Sequence, residues 1–266
     1  MNDKFAIEQK QGNGSSGTQI VEQNNFYGMS PQEASQLAIQ LFIDNFPRLQ
    51  NMVKELVEEK VEELNSSLIQ KMQQQGITDF SAFGTADVQY VLLKAQESYA
   101  RFGEEDKLEL LTDLLTQRIV SDDSSIVEKI AIDKAIEIAP FLTQKHLDML
   151  ALLFSIGQCI WGGIHTLGDL KIFFNELENY FPSADRNCLA NLDMLNCLKF
   201  AITSPEDILS QSYNLDAKEI KNIITPFIKK VEGDYLLSNI GKVLAITHIK
   251  NKLTVSLDLI KFIEEK

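Results

Sequence analysis

The sequence predicts a mainly α protein: a helical-bundle lobe, a second helical lobe with winged-helix-like element order, and a short N-terminal β-prone arm. Three observations carry that prediction. Apolar residues recur at three- and four-residue spacing over most of the chain. Helix-start signals, Ser30-Pro31-Gln32-Glu33, Ser125-Ile126-Val127-Glu128 and Ser204-Pro205-Glu206-Asp207, stand where those patterns begin. Strand-like composition is confined to the first thirty residues and to Gly233-Asp234-Tyr235-Leu236-Leu237-Ser238. With 266 residues, 44% apolar and 24% charged, the chain has ample material for a core, and its 3 Cys exclude a disulfide scaffold.

The arm, residues 1–29, alternates Phe5, Ile7, Gln9 and Gln11 before a Gly/Asn/Ser turn, then continues with Thr18-Gln19-Ile20-Val21. Two β-prone runs around such a turn predict a hairpin. An isolated hairpin is marginal in water and must pack or pair with something. Residues 30–142 form the bundle lobe. Ser30 caps a first helix through Leu37, Leu41, Phe42 and Phe46, and Pro47 breaks it. A long helix then runs to Gln75 with Gly76 as its stop. Its apolar seam is Leu49, Val53, Leu56, Val57, Val61, Leu64, Leu68 and Met72, with Glu55, Glu58, Glu59, Glu62 and Glu63 on the other side. Helices from near Thr85 to Gly103, over 104–120, and from Ser125 to Pro140 complete the lobe.

Residues 143–266 form the second lobe, and the boundary falls at Pro140-Phe141-Leu142-Thr143. Residues 1–142 carry 12 basic and 23 acidic side chains, against 13 and 15 beyond. Thr143 caps a helix through Leu147, Leu150, Leu153 and Phe154, ending near Gly162. Further helices begin at Thr166, cover 186–201 and 205–213, and run from Asn214 or Asp216 to about Lys230. A strand-like turn at 233–238 precedes a last helix capped by Ser238, the order of a winged-helix module with an insertion. Trp161, Phe173, Phe174 and Phe181 are expected in the core.

The formal charge of −13 argues against a nucleic-acid coat. Cys159, Cys188 and Cys197 lie in apolar helical context and read as buried thiols of a reducing cytoplasm. The uncharged run 149–168 carries four glycines, three of them in its second half with His165, a poor membrane span. No phosphate-cradling glycine loop, metal-ligand spacing or nucleophile motif is present, so no catalytic, cofactor or metal residue is assigned. His146, His165 and His248 stand alone.

The runs Gly12-Asn13-Gly14-Ser15-Ser16-Gly17-Thr18-Gln19-Ile20, Asn24-Asn25 and Tyr27-Gly28-Met29-Ser30-Pro31-Gln32-Glu33 resemble the opening of a family of uncharacterised bacterial proteins. In that family a Gly/Asn/Gln-rich stretch precedes a Gly-Leu-Ser-x-x-Glu helix start. The resemblance extends to Gln40-Leu41-Phe42-Ile43-Asp44-Asn45-Phe46, Tyr99-Ala100-Arg101 and Tyr235-Leu236-Leu237-Ser238-Asn239-Ile240-Gly241. Met29 replaces the usual leucine, and Leu237-Ser238 stands where leucine-threonine is the rule. The resemblance brings no catalytic residue with it and implies a phage-defence setting.

The expected function is therefore interaction or self-assembly in the bacterial cytoplasm, with a protein partner or a second copy and no cofactor. The candidate assembly surface is Ile20, Val21, Phe26, Tyr27, Val57, Val61, Leu64 and Leu68. An alternative is a winged-helix-like nucleic-acid binder using Lys229, Lys230, Lys242, Lys250 and Lys252 on phosphates. A nuclease without a legible site, or a membrane-active effector using 149–168, are the remaining alternatives.

Overall fold

The computed structural model describes residues 31–120, 125–200, 204–228, 235–253 and 262, with the side chains at 31–52, 105–106 and 227–228 outside that description. The predicted arm and hairpin at 1–29 lie outside the described residues. The chain is mainly α, and its two compact units are Met1–Asn51 and Met52–Lys266.

In the first unit the described backbone is the opening of helix α1 (Pro31–Gln74). The break expected at Pro47 is absent. Proline keeps a helical φ and removes a single rung of the ladder, a local cost of about 3 kcal/mol, and α1 continues through it. At the far end the stop is the predicted one. Gly76 turns left-handed at φ 76°, and the Ile77 N–H reaches back to the Met72 carbonyl at 3.0 Å.

The second unit continues with α2 (Ala86–Phe102), α3 (Glu105–Val120), α4 (Ile126–Ile138), α5 (Gln144–Gly157), α6 (Leu167–Tyr180) and the short α7 (Leu189–Met194). Strand β1 (Leu198–Phe200) follows, then α8 (Pro205–Tyr213), α9 (Ala217–Ile228), strand β2 (Tyr235–Leu237) and α10 (Asn239–Lys252). The starts are set by side chains. Thr85, Ser125, Thr166, Ser204 and Ser238 each accept the backbone N–H three residues on. Each such cap contributes about 1 kcal/mol.

The helix expected over 186–201 is corrected. It is a 3-10 turn (Arg186–Cys188) and α7, closed where Asn196 turns left-handed at φ 57° and the Cys197 N–H returns to the Leu192 carbonyl. The chain then leaves as β1, antiparallel to β2 in the register Leu198↔Leu237, Lys199↔Leu236 and Phe200↔Tyr235. Three residues are too few for a period-2 pattern to register against a helical one. The helix after Thr143 also stops earlier than expected, at Gly157. Gln158 leaves it so that its amide can bracket Leu237: the Leu237 N–H donates to Gln158 Oε1 at 3.0 Å, and Gln158 Nε2 donates to the Leu237 carbonyl at 3.4 Å. The resulting order is three helices, a strand, two helices, a strand and a helix, with α8 and α9 between the two strands.

The core is built around α10, buried at every position from Gly241 to Ile249. It packs most closely on α5 and α4 and also reaches α3, where Gln117 Nε2 donates to Thr247 Oγ1 at 3.2 Å. The expected boundary between 142 and 143 therefore falls inside one compact unit. At its first turn α10 lies so near the Cys197 carbonyl that a Cβ on Gly241 would stand 2.2 Å from that oxygen. Phe174 and Phe181 are buried as expected, and Trp161 and Phe173 pack on the core from its edge.

Candidate assembly surface

The apolar seam of α1 changes role along its length. Leu64, Leu68 and Met72 are wholly buried in the protein's own core, whereas Val53, Leu56 and Val57 are 56%, 58% and 38% exposed and Val61 is half-buried. Leu64 and Leu68 are thus removed from the expected assembly surface. A three-four periodicity identifies an apolar face without saying whether it meets the fold or another chain. The change occurs where α1 engages α2. The Tyr99 hydroxyl, its ring buried, donates to Glu63 Oε2 at 2.9 Å, and Lys60 Nζ donates to the same oxygen at 3.0 Å. These two bonds hold the Glu63 carboxyl below its ordinary range, while burial, followed by the bond to Glu63, raises the Tyr99 phenol.

On the exposed side of this clamp, heptad positions sort by chemistry. With Val57 at position a, Val53 falls at d, Leu56 at g and Val61 at e, while Glu55, Glu58, Glu59 and Glu62 fall at f, b, c and f. Carboxylates at b, c and f point away from a packed partner. Sequence reasoning placed Val53 and Leu56 on the seam and missed them as surface residues. Their signal was the same spacing that marked Val57. Ile20, Val21, Phe26 and Tyr27 lie outside the described residues.

The lysines expected on phosphates are not assembled into a patch among the described residues. Lys242 is buried, 3% exposed, with Nζ donating to the Phe262 carbonyl at 2.7 Å, which corrects its assignment as a phosphate contact. Lys250 is half-buried and Lys252 exposed at the end of α10, and Lys229 and Lys230 lie outside the described residues. The short helix α7 exposes Ala190, Asn191, Asp193 and Met194, with no cation among them.

Two of the lone histidines work inside the fold. Asp148 is 1% exposed and accepts three hydrogen bonds: Oδ1 from Gln144 Nε2 at 2.6 Å and from His248 Nε2 at 2.8 Å, Oδ2 from the Ser183 N–H at 3.0 Å. The pair ties α5 to α10 and to the segment after α6. Arg118, 4% exposed on α3, similarly binds Asp87 of α2 and Asp133 of α4. Burial raises the Cys197 thiol to about 12 and the Cys159 thiol to about 11, which leaves both as unreactive thiols.

His146 sits at the third position of α5, and its Nδ1 accepts the Thr143 backbone N–H at 3.0 Å and lies 2.8 Å from Thr143 Oγ1. Burial, then the Lys107 ammonium, holds the imidazole below its ordinary 6.5. The unfolded chain therefore takes up this proton first as pH falls. The stabilisation is complete above about 6.5 and is lost on acidification through the lower folded value. Glutamine at this position can serve the same cap without titrating. The melting-temperature gap between the wild type and His146→Gln is expected to shift against the wild type between about pH 7.5 and 5. A gap constant across that window would remove His146 as its cause.

Among the described residues, no helix is long and apolar enough to cross a membrane, and the run 149–168 is divided between α5 and α6. No group of three or more metal-ligating side chains converges among them. A protein-family model described as ":-like" covers residues 28–233. No curated protein and no solved structure matches the chain.

Proposed function

We propose that this chain, which belongs to the family whose model spans residues 28–233, acts through its surfaces, as a self-assembling interaction protein. One observation carries this reading: the α1 seam that is core at Leu64, Leu68 and Met72 continues outward as exposed Val53, Leu56 and Val57. The partner is a second copy, whose own seam offers the same apolar line. Burying six such side chains in a symmetric pair contributes on the order of 10 kcal/mol, and association costs about 4–15 kcal/mol. Those magnitudes are close, so the pairing depends on concentration. A cytoplasmic phage-defence role for the assembly rests on the family resemblance of the N-terminal motifs.

Light scattering over a concentration series tests the seam. The wild type is expected to gain mass toward the dimer or beyond, and Leu56→Gln/Val57→Gln to stay monomeric. At concentrations low enough that both are monomeric the two chains should melt alike, because these side chains are not part of the core. A monomeric wild type at every concentration, or an unchanged mass in the double variant, overturns the proposal.

Nucleic-acid binding is the second reading, and the element order around β1 and β2 favours it. Charge opposes it: Lys242 is buried and the exposed face of α7 is acidic and apolar. Duplex binding that weakens steeply with salt would revive it.

A further inference from the structure

The geometry points to a second pairing surface, the α2–α4 face, which joins seam-paired dimers by meeting the same face of another copy. On α2 the solvent side carries Tyr90, Leu93, Lys94, Glu97 and Phe102. On α4 it carries Ile130, Lys134 and Glu137, with Phe141 in the turn that follows. Tyr90, Leu93, Phe102, Ile130 and Phe141 are each between 38% and 59% exposed. Single exposed apolar side chains need no explanation, whereas a contiguous group marks an interaction site. The group is contiguous because α2 and α4 run side by side in the same direction. Arg118 joins Asp87 to Asp133 at one level, and the Phe102 and Phe141 rings meet at another, centroids 4.9 Å apart.

Charge selects the occupant. Lys94 bonds Glu97 at 2.9 Å on α2, and Lys134 bonds Glu137 at 2.6 Å on α4. Across the gap, Glu137 adds to the bond with Glu97 in raising the Lys94 ammonium, and Tyr90 adds to the bond with Glu137 in raising that of Lys134. Lys94 and Glu137 therefore stand at one level. A two-fold axis along the groove lays α2 of one copy over α4 of the other, so Lys94 of each copy meets Glu137 of the other in a square of alternating sign. The same operation sets Phe102 of each over Phe141 of the other. An isologous pair needs this self-complementarity, and exposed three-residue ion pairs give up little when they exchange partners. At 1.5 Å rise per residue and about 10 Å per helix, the face is roughly 20 Å by 20 Å. That is about half the area that each partner of a standard interface buries. One contact is thus too weak to hold two monomers, and the inference rests on the seam pairing proposed above, which supplies two such faces per dimer.

Sedimentation velocity of the full-length chain tests this with a charge exchange. The acidic variant is Lys94→Glu/Lys134→Glu and the basic variant is Glu97→Lys/Glu137→Lys. The wild type is expected to pass beyond the dimer as concentration rises. Each variant alone should need at least ~10-fold more protein to do so, since like charges then face each other. An equimolar mixture of the two should regain the wild-type behaviour, a recovery that misfolded chains could not give. Leu93→Gln/Ile130→Gln should stop at the dimer. Variants that assemble like the wild type overturn the inference, as does a mixture that stays dimeric. A wild type that stops at a dimer lost in Leu56→Gln/Val57→Gln refutes this second surface and leaves the seam standing. A wild type that is monomeric throughout refutes both.

Discussion

Replacing Asp148 with alanine lowers the folding free energy by about 1–3 kcal/mol, the range for leaving a buried hydrogen-bonding group without its partner. The carboxylate is the common acceptor for Gln144, His248 and the Ser183 N–H, and it is 1% exposed. Alanine leaves His248, 6% exposed, without this acceptor inside the fold. The expected result is large because native domains retain only about 5–15 kcal/mol in total. Urea denaturation of the two chains measures it, with a lower midpoint and an unchanged slope. Asp148→Asn, which keeps an acceptor oxygen, should recover part of the loss. A midpoint shift equivalent to less than about 1 kcal/mol in Asp148→Ala would mean that the network contributes no more than an ordinary surface contact.

Gly241→Ala is the second large effect, and it arises from crowding. The added methyl would lie 2.2 Å from the Cys197 carbonyl oxygen and 3.2 Å from the Leu237 Cβ. Those neighbours cannot yield cheaply. The same carbonyl accepts the Ser238 N–H at 2.9 Å, and Leu237 is held by the ladder and by Gln158. Relief therefore means moving α10 off the ladder. Overpacking of this kind costs about 1–3 kcal/mol, and the upper end is expected because the clash is with backbone. Thermal unfolding followed by circular dichroism will show the drop. An alanine variant that melts with the wild type would show that α10 can shift at no cost.

What the sequence made legible and what it hid follow a physical division. Helix starts depend on a hydroxyl and an amide three residues apart, so Ser125, Thr166, Ser204 and Ser238 could be read directly and each caps its helix. The stop at Gly76 is equally local. The strand at β1 was hidden because its register is set by β2, on the far side of two helices, and its three residues continue an apolar helical pattern. Pro47 misled because a proline's lost hydrogen bond is a cost and not a prohibition. The Asp148–His248 pair joins residues one hundred positions apart, which no spacing rule spans. For the assembly surface the spacing located the seam correctly and could not divide it. Only packing separates Leu64, wholly buried in the core, from Val57, which is 38% exposed.

The placement of α8 and α9 between β1 and β2 has a consequence for how such a chain can diverge. The ladder's register is pinned from outside the insertion, by Gln158 on Leu237 and by the Ser238 hydroxyl on the Asn196 carbonyl at 2.6 Å. The intervening excursion is thus free to lengthen or shrink, since doubling a connection adds only about 0.6 kcal/mol of closure entropy. Relatives could exchange this helical pair for a bare turn, or for something larger, and keep the same frame beneath it.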